Sequence, residues 1–77
     1  MHPVAIGSGA IKAFVLQVRE REMRVCDFHT LWELRVHTRD ADRFSAGDRI
    51  RIEYSRTGMS GSAIRIREHQ IHRISRF

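Results

Sequence analysis

The sequence predicts an all-β domain, a five-stranded barrel with a short helical link between strands 3 and 4. Three observations lead there. Apolar and polar residues alternate with a period of two in MRVCDF, LWELRVHT, DRIRIEYS and AIRIR, the signature of half-buried strands. The breaks between these runs are short and polar or glycine-containing. A 77-residue chain also has few apolar residues to spare, and closing the sheet removes its aggregation-prone edges.

Residues 1–9, with Pro3, Gly7 and Gly9, show little pattern and are expected to form a flexible N-terminal arm; residues 10–77 form a single domain. The first strand is expected at 10–19, where IKAFVLQV is apolar on both alternating sets, the pattern of a strand buried on both faces or shared between two sheets. The charged RERE at 19–22 marks its end. The second strand, 22–28, sets Met23 and Val25 against Arg24, Cys26 and Phe28. His29-Thr30 supplies a tight reversal into the third, 31–38, where Trp32, Leu34 and Val36 alternate with Glu33, Arg35 and His37.

RDADRF (39–44) is too short for a free-standing helix, but its acidic start suits one or two helical turns, with Phe44 plugging the barrel bottom. After a turn at 45–48, the fourth strand, 48–55, places Ile50, Ile52 and Tyr54 inward and Arg49, Arg51 and Glu53 outward. A glycine-containing loop at 56–62 leads to a fifth strand, 63–69, with Ile64 and Ile66 inward and Arg65 and Arg67 outward. Ile71 and Ile74, three apart, then break the period, as a bulge or helical turn would. Ile50, Ile52, Ile64, Ile66, Leu34 and Val36 are expected to share one core. Three strands, a helical link and two more strands is the plan of an oligonucleotide-binding (OB) fold; an SH3-like barrel is the rival.

Charge gives the functional hint. Lys+Arg total 14 against 9 Asp+Glu, and Lys12 is the only lysine. Arginine grips phosphate with a planar fork and stacks on bases, although GC-rich coding also favours it. Alternation sends Arg49, Arg51, Arg65 and Arg67 outward. On adjacent antiparallel strands they would form a continuous patch, which Arg24, Arg35 and Lys12 extend. Like charges side by side cost stability, so such a patch points to an anionic partner. Phe28 has outward parity near the hairpin tip, suited to stacking or to a protein interface. Trp32 shares parity with the core residues, so it is either a core side chain or a stacking ring.

Enzymatic function is not expected. No nucleophile–base–orienter set or phosphate-cradling glycine loop is visible, and His69 and His72 would point apart on a strand. No metal or cofactor is expected. The lone Cys26 excludes an intramolecular disulfide. Without a cationic leader and long apolar run, or a membrane-length apolar stretch, the expected setting is soluble and cytoplasmic.

Trp32 opening W-E-L-R-V, the link DADRF, the strand A-G-D-R-I-R-I-E and the ending IREHQIHRIS together resemble the single-stranded-DNA-binding protein family and its relative, primosomal replication protein N. The resemblance covers residues 31–74. It implies an OB-fold in a bacterial setting and sequence-tolerant binding of single-stranded DNA, with single-stranded RNA as the second choice of partner. The implied binding positions are Trp32 and its strand neighbours, with Arg49, Arg51, Arg65 and Arg67 on phosphates. A homodimer is also expected, from the surplus apolar residues Phe14, Val15 and Leu16 on the first strand. The short 56–62 loop and the absence of an acidic tail depart from the family pattern and suggest a minimal member. Two other readings remain open. One is a protein-interaction barrel using Phe28 and a strand edge. The other is a ribosome-binding barrel similar to bacterial translation initiation factor one, which has a like G-D-x-[VI]-x-[VI]-E strand.

Overall fold

The structure is a computed structural model that describes residues 6–57 and 65–77. Its strands are β1 (Ile6–Arg19), β2 (Glu22–Asp27), β3 (Glu33–His37), β4 (Arg49–Thr57), β5 (Arg65–Ile66) and β6 (Ile71–Arg76). They form one curled, half-barrel sheet in the order β5-β3-β2-β1-β4-β6. Short 3-10 turns lie at Ala41–Arg43, between β3 and β4, and at Glu68–Gln70, between β5 and β6. The described residues are therefore mostly β, as expected, with six strands in place of five.

The sixth strand arises because the expected run at 63–69 ends early. Arg65 and Ile66 pair in parallel with Arg35 and Val36. The chain then turns at 68–70, where Gln70 N–H donates to the Arg67 carbonyl at 2.9 Å and the Gln70 side chain accepts from Arg67 N–H at 3.0 Å. β6 emerges antiparallel to β4. Both edges of the sheet are thus held by one continuous piece of chain, which forces the sheet to curl. The Ile71/Ile74 irregularity is a bulge. Tyr54 pairs with Ile71 and Glu53 with Arg73, leaving His72 as the extra residue. That extra residue lets both isoleucines pack against the core.

β1 serves two neighbours. Residues 6–14 pair with β4, and residues 13–19 pair with β2. Val15 pairs with Val25 and Gln17 with Arg24, so Leu16 is a bulged residue. The expected burial of both faces of this strand is corrected: Ala13 and Val15 are buried, whereas Phe14 (38%) and Leu16 (37%) retain substantial exposure. Phe14 lies on the outer face of a single curled sheet, and no second layer covers it among the described residues. The strand also begins earlier than expected. Residues 6–9, assigned by pattern to a flexible arm, pair with β4; residues 1–5 lie outside the described residues.

The inward set forms one cluster. Ala13, Val15, Met23, Val25, Leu34, Val36, Ile50, Ile52 and Ile66 meet Ala41 and Phe44 from the link. Five of the six expected core residues are in it, and Ile64, with residues 58–62 of the loop, lies outside the described residues. Phe44 is buried as expected, with the Arg76 guanidinium 5.0 Å from its ring centroid. The turn at 45–48 also forms. Gly47 sits at φ +98°, where a side chain would be strained, and Ser45 N–H donates to the Asp48 carboxylate at 2.9 Å.

Polar ties hold the last segment to the sheet. Arg39 donates through its backbone N–H and its Nε to Glu68 Oε2, at 3.2 and 3.0 Å. Arg76 Nε donates to Asp48 Oδ2 at 3.1 Å, and Gln70 Nε2 to the Ser55 carbonyl at 3.0 Å.

Two predictions follow from the core and its ties. Ile52 is wholly buried, so Ile52→Ala should cost about 2–5 kcal/mol, a large share of the margin of so small a domain. Chemical denaturation followed by circular dichroism would read that loss. The Ser45 backbone N–H, then Arg76, lower the pKa of Asp48, and the Arg39 backbone N–H, then its guanidinium, lower that of Glu68. With the folded values below the unfolded ones, the stabilisation is present above the ordinary carboxylate range and lost as pH falls through the folded values. Melting temperature should therefore fall below about pH 4, and Asp48→Asn with Glu68→Gln should flatten that acid limb.

Candidate functional site

Alternation along β1 and β4 sets Lys12, Phe14, Arg49 and Arg51 outward, and Phe28, the first residue after β2, joins them; all are exposed to solvent. Lys12 stands directly opposite Arg51 and Phe14 opposite Arg49. Phe77 joins them from the end of β6, its backbone N–H donating to the Arg49 carbonyl at 3.1 Å. The Phe77 ring meets Phe28 edge-on, with centroids 6.1 Å apart at 83°, and Lys12 Nζ lies 5.3 Å from its centroid. Cations and exposed aromatic rings are therefore interleaved on one face.

A cleft of about 500 Å³ opens on this face, lined by Ala10, Ile11, Lys12, Asp27, Phe28, His29 and Arg51. It lies where β2 parts from β1. Their ladder ends at Ala13 opposite Asp27, and one further bond joins Phe28 N–H to the Lys12 carbonyl at 3.0 Å. Asp27 is only 8% exposed. Its Oδ1 accepts the backbone N–H groups of His29 (2.7 Å) and Thr30 (3.2 Å), an arrangement that fixes the turn lining the cleft.

A second basic group crosses β2, β3 and β5. Arg24 is registered with Arg35, and Arg35 with Arg65. Arg24 is tied down, donating to Gln17 Oε1 at 2.8 Å and pairing with Glu33 at 3.0 Å. Arg51 is paired with Glu53 at 3.3 Å. Lys12, Arg35, Arg49 and Arg65 form no ion pair among the described residues. Like charges registered across strands destabilise the sheet, and a bound polyanion would relieve that repulsion.

The expected patch of Arg49, Arg51, Arg65 and Arg67 is corrected by this topology. β4 pairs with β1 and β6, whereas Arg65 pairs with β3, so the first two arginines are separated from the last two across the sheet. The expectation rested on a fifth strand running unbroken beside β4, and the turn at 68–70 divides that strand. Arg67 sits at the start of this turn, exposed. Lys12, Phe28, Arg49 and Arg51 are brought together, and Arg24, Arg35 and Arg65 form a separate row.

Trp32 is 61% exposed, which excludes the core alternative. The reversal is longer than the expected His29-Thr30 pair. Leu31 takes φ +64°, its N–H donates to the Asp27 carbonyl at 2.8 Å, and β3 begins only at Glu33. Strand parity therefore does not extend back to Trp32. No known family model, curated protein or solved structure matches this chain. Pattern alone does not mark Phe77, Phe14, Asp27 or His29 as site residues. Phe14 was hidden in a doubly apolar strand. Phe77 follows a strand that the broken period concealed.

Trp32 is the only tryptophan. Its exposure predicts an emission maximum near that of free tryptophan in water and ready quenching by acrylamide. A blue-shifted, protected emission would contradict this placement.

Proposed function

We propose that this chain is a small OB-fold protein that binds single-stranded nucleic acid, DNA before RNA, without strong sequence preference. The observation that carries this reading is the interleaving of Lys12, Arg49 and Arg51 with Phe14, Phe28 and Phe77 on one outward face. Single-strand binders combine a basic track for the backbone with aromatic platforms on which bases stack, at about 1–3 kcal/mol per stacked base. The OB-fold reading is supported by the order of elements: a three-stranded meander, a short helical link, a fourth strand, and a last segment reaching both β3 and β4. In that fold the face of strands 2 and 3 binds oligonucleotides, and here it carries Arg24 and Arg35.

A second reading, a homodimer or other protein-interaction barrel, is favoured by the exposure of Leu16 (37%), Leu31 (73%) and Trp32 (61%). These side chains would then meet a partner, with the arginines serving solubility. Light scattering at high micromolar concentration tests self-association.

Fluorescence polarisation with single-stranded and duplex oligonucleotides tests the first reading. Affinity for single strands should exceed that for duplex, whose bases are already stacked. It should fall with salt at a log–log slope of about −0.7 per phosphate neutralised, or roughly −3 to −4 for four to six contacts. Arg49→Ala and Lys12→Ala should weaken every sequence alike and flatten the slope. Phe28→Ala and Phe77→Ala should each lose about 1–3 kcal/mol with the slope retained. Equal binding of duplex and single strands, or no binding at low salt, would overturn the reading.

A further inference from the structure

Asp27 is not explained by a sequence-tolerant phosphate face. A carboxylate in the same cleft as Lys12 and Arg51 weakens it for phosphate, yet Asp27 lines that cleft and is more than nine-tenths buried. Its Oδ1 is occupied by the His29 and Thr30 N–H groups. Oδ2 accepts no hydrogen bond among the described residues, and it is not among the sealed, unpartnered atoms, which are Arg24 Nε and His37 Nε2. One carboxylate oxygen is thus held in place by the turn, unpartnered and still accessible. Ile11 gives the cleft an apolar wall and Phe28 an aromatic one, and its volume suits a small planar group.

We infer that this cleft is a base-reading pocket in which Asp27 Oδ2 accepts the exocyclic amino group of a cytosine or adenine and disfavours thymine and uracil. The inference rests on the single-strand reading above. The base enters against Phe28, and Lys12 and Arg51 at the cleft hold its flanking phosphates. Cytosine offers an N4 amino donor where thymine offers the O4 carbonyl. A carbonyl facing a fixed carboxylate oxygen is repelled, and the carboxylate is left unpaired, which carries a desolvation cost. Because Oδ1 is committed to the turn, the pocket presents one acceptor and reads one donor. The backbone track is indifferent to sequence, so the discrimination is confined to one nucleotide per bound strand.

Polarisation titrations with homopolymeric dC and dT of equal length, about eight nucleotides, test this with the full chain. A mildly alkaline buffer keeps cytosine unprotonated. Both are pyrimidines, so stacking differs little and the C4 substituent dominates. Wild-type protein should bind dC about five- to tenfold more tightly than dT, the scale of a single charge-assisted contact. An oligomer of N4,N4-dimethylcytosine, which lacks the amino hydrogens, should lose that advantage. Asp27→Asn keeps an oxygen for the His29 and Thr30 N–H groups and replaces Oδ2 with a donor. It should bring dC and dT level or reverse their order. If the variant does not fold, the dimethylated oligomer decides the matter on wild-type protein. Equal binding of dC and dT, or a dC preference that survives dimethylation, would overturn the inference and leave the single-strand reading standing. Failure of every oligomer to bind would overturn both.

Discussion

β1 must satisfy two hydrogen-bonding partners at once, and the other features of the structure depend on that constraint. Ala13 pairs with Asp27 of β2 and Ile50 of β4, and Phe14 with Cys26 and Arg49. Where three strands converge, the inward position is a wholly buried alanine, small enough to leave room for the larger side chains of β2 and β4. Beyond this crossing the bulge at Leu16 adds local twist, letting the rest of β1 follow β2 while its first half follows β4. The same geometry brings outward residues of three strands around Lys12 and Phe14. Moving β1 by one residue would exchange every inward and outward side chain and destroy core and face together.

The inward faces of β2, β3 and β4 were legible from sequence because each alternates strictly over at least four residues, and Met23, Val25, Leu34, Val36, Ile50 and Ile52 are all buried. Phe28 was legible for the same reason. Trp32 was not, because a left-handed leucine precedes β3 and periodicity does not pass through such a turn. The last strand was misread for a different reason. Local pattern reports which residues face inward but not which strand lies alongside, and Arg65 meets Arg35 only through a parallel pairing made at long range. The grouping of the basic residues therefore required the topology. The cleft was invisible because it arises where two strands part, a place with no compositional mark.

The charges divide into structural and unpaired sets. Arg39, Arg76 and Arg24 bridge separate elements through Glu68, Asp48 and Glu33; such exposed pairs contribute little individually but sit where the last segment and β3 meet the sheet. Lys12, Arg35, Arg49 and Arg65 make no such bridge among the described residues. In a domain with a small core, Arg35 registered against Arg65, neither of them paired, is a standing cost. The division tracks position: the bridging residues sit chiefly around the link and the turns, and the unpaired ones lie on the outward faces of β1, β3, β4 and β5.

The joining of β5 to β3 by only two residues also bears on how the chain reaches this shape. β1, β2 and β3 form a meander of near neighbours in sequence, whereas the Arg39–Glu68 tie links positions 29 residues apart. Closing so long a loop costs entropy before the short ladder repays it. The meander can assemble early, and closure waits for β4 to lie against β1. In the native state the same seam, with little ladder and exposed ties, has a low free energy of local opening. On topological grounds the seam that completes the curl closes late in folding and opens early when the domain breathes.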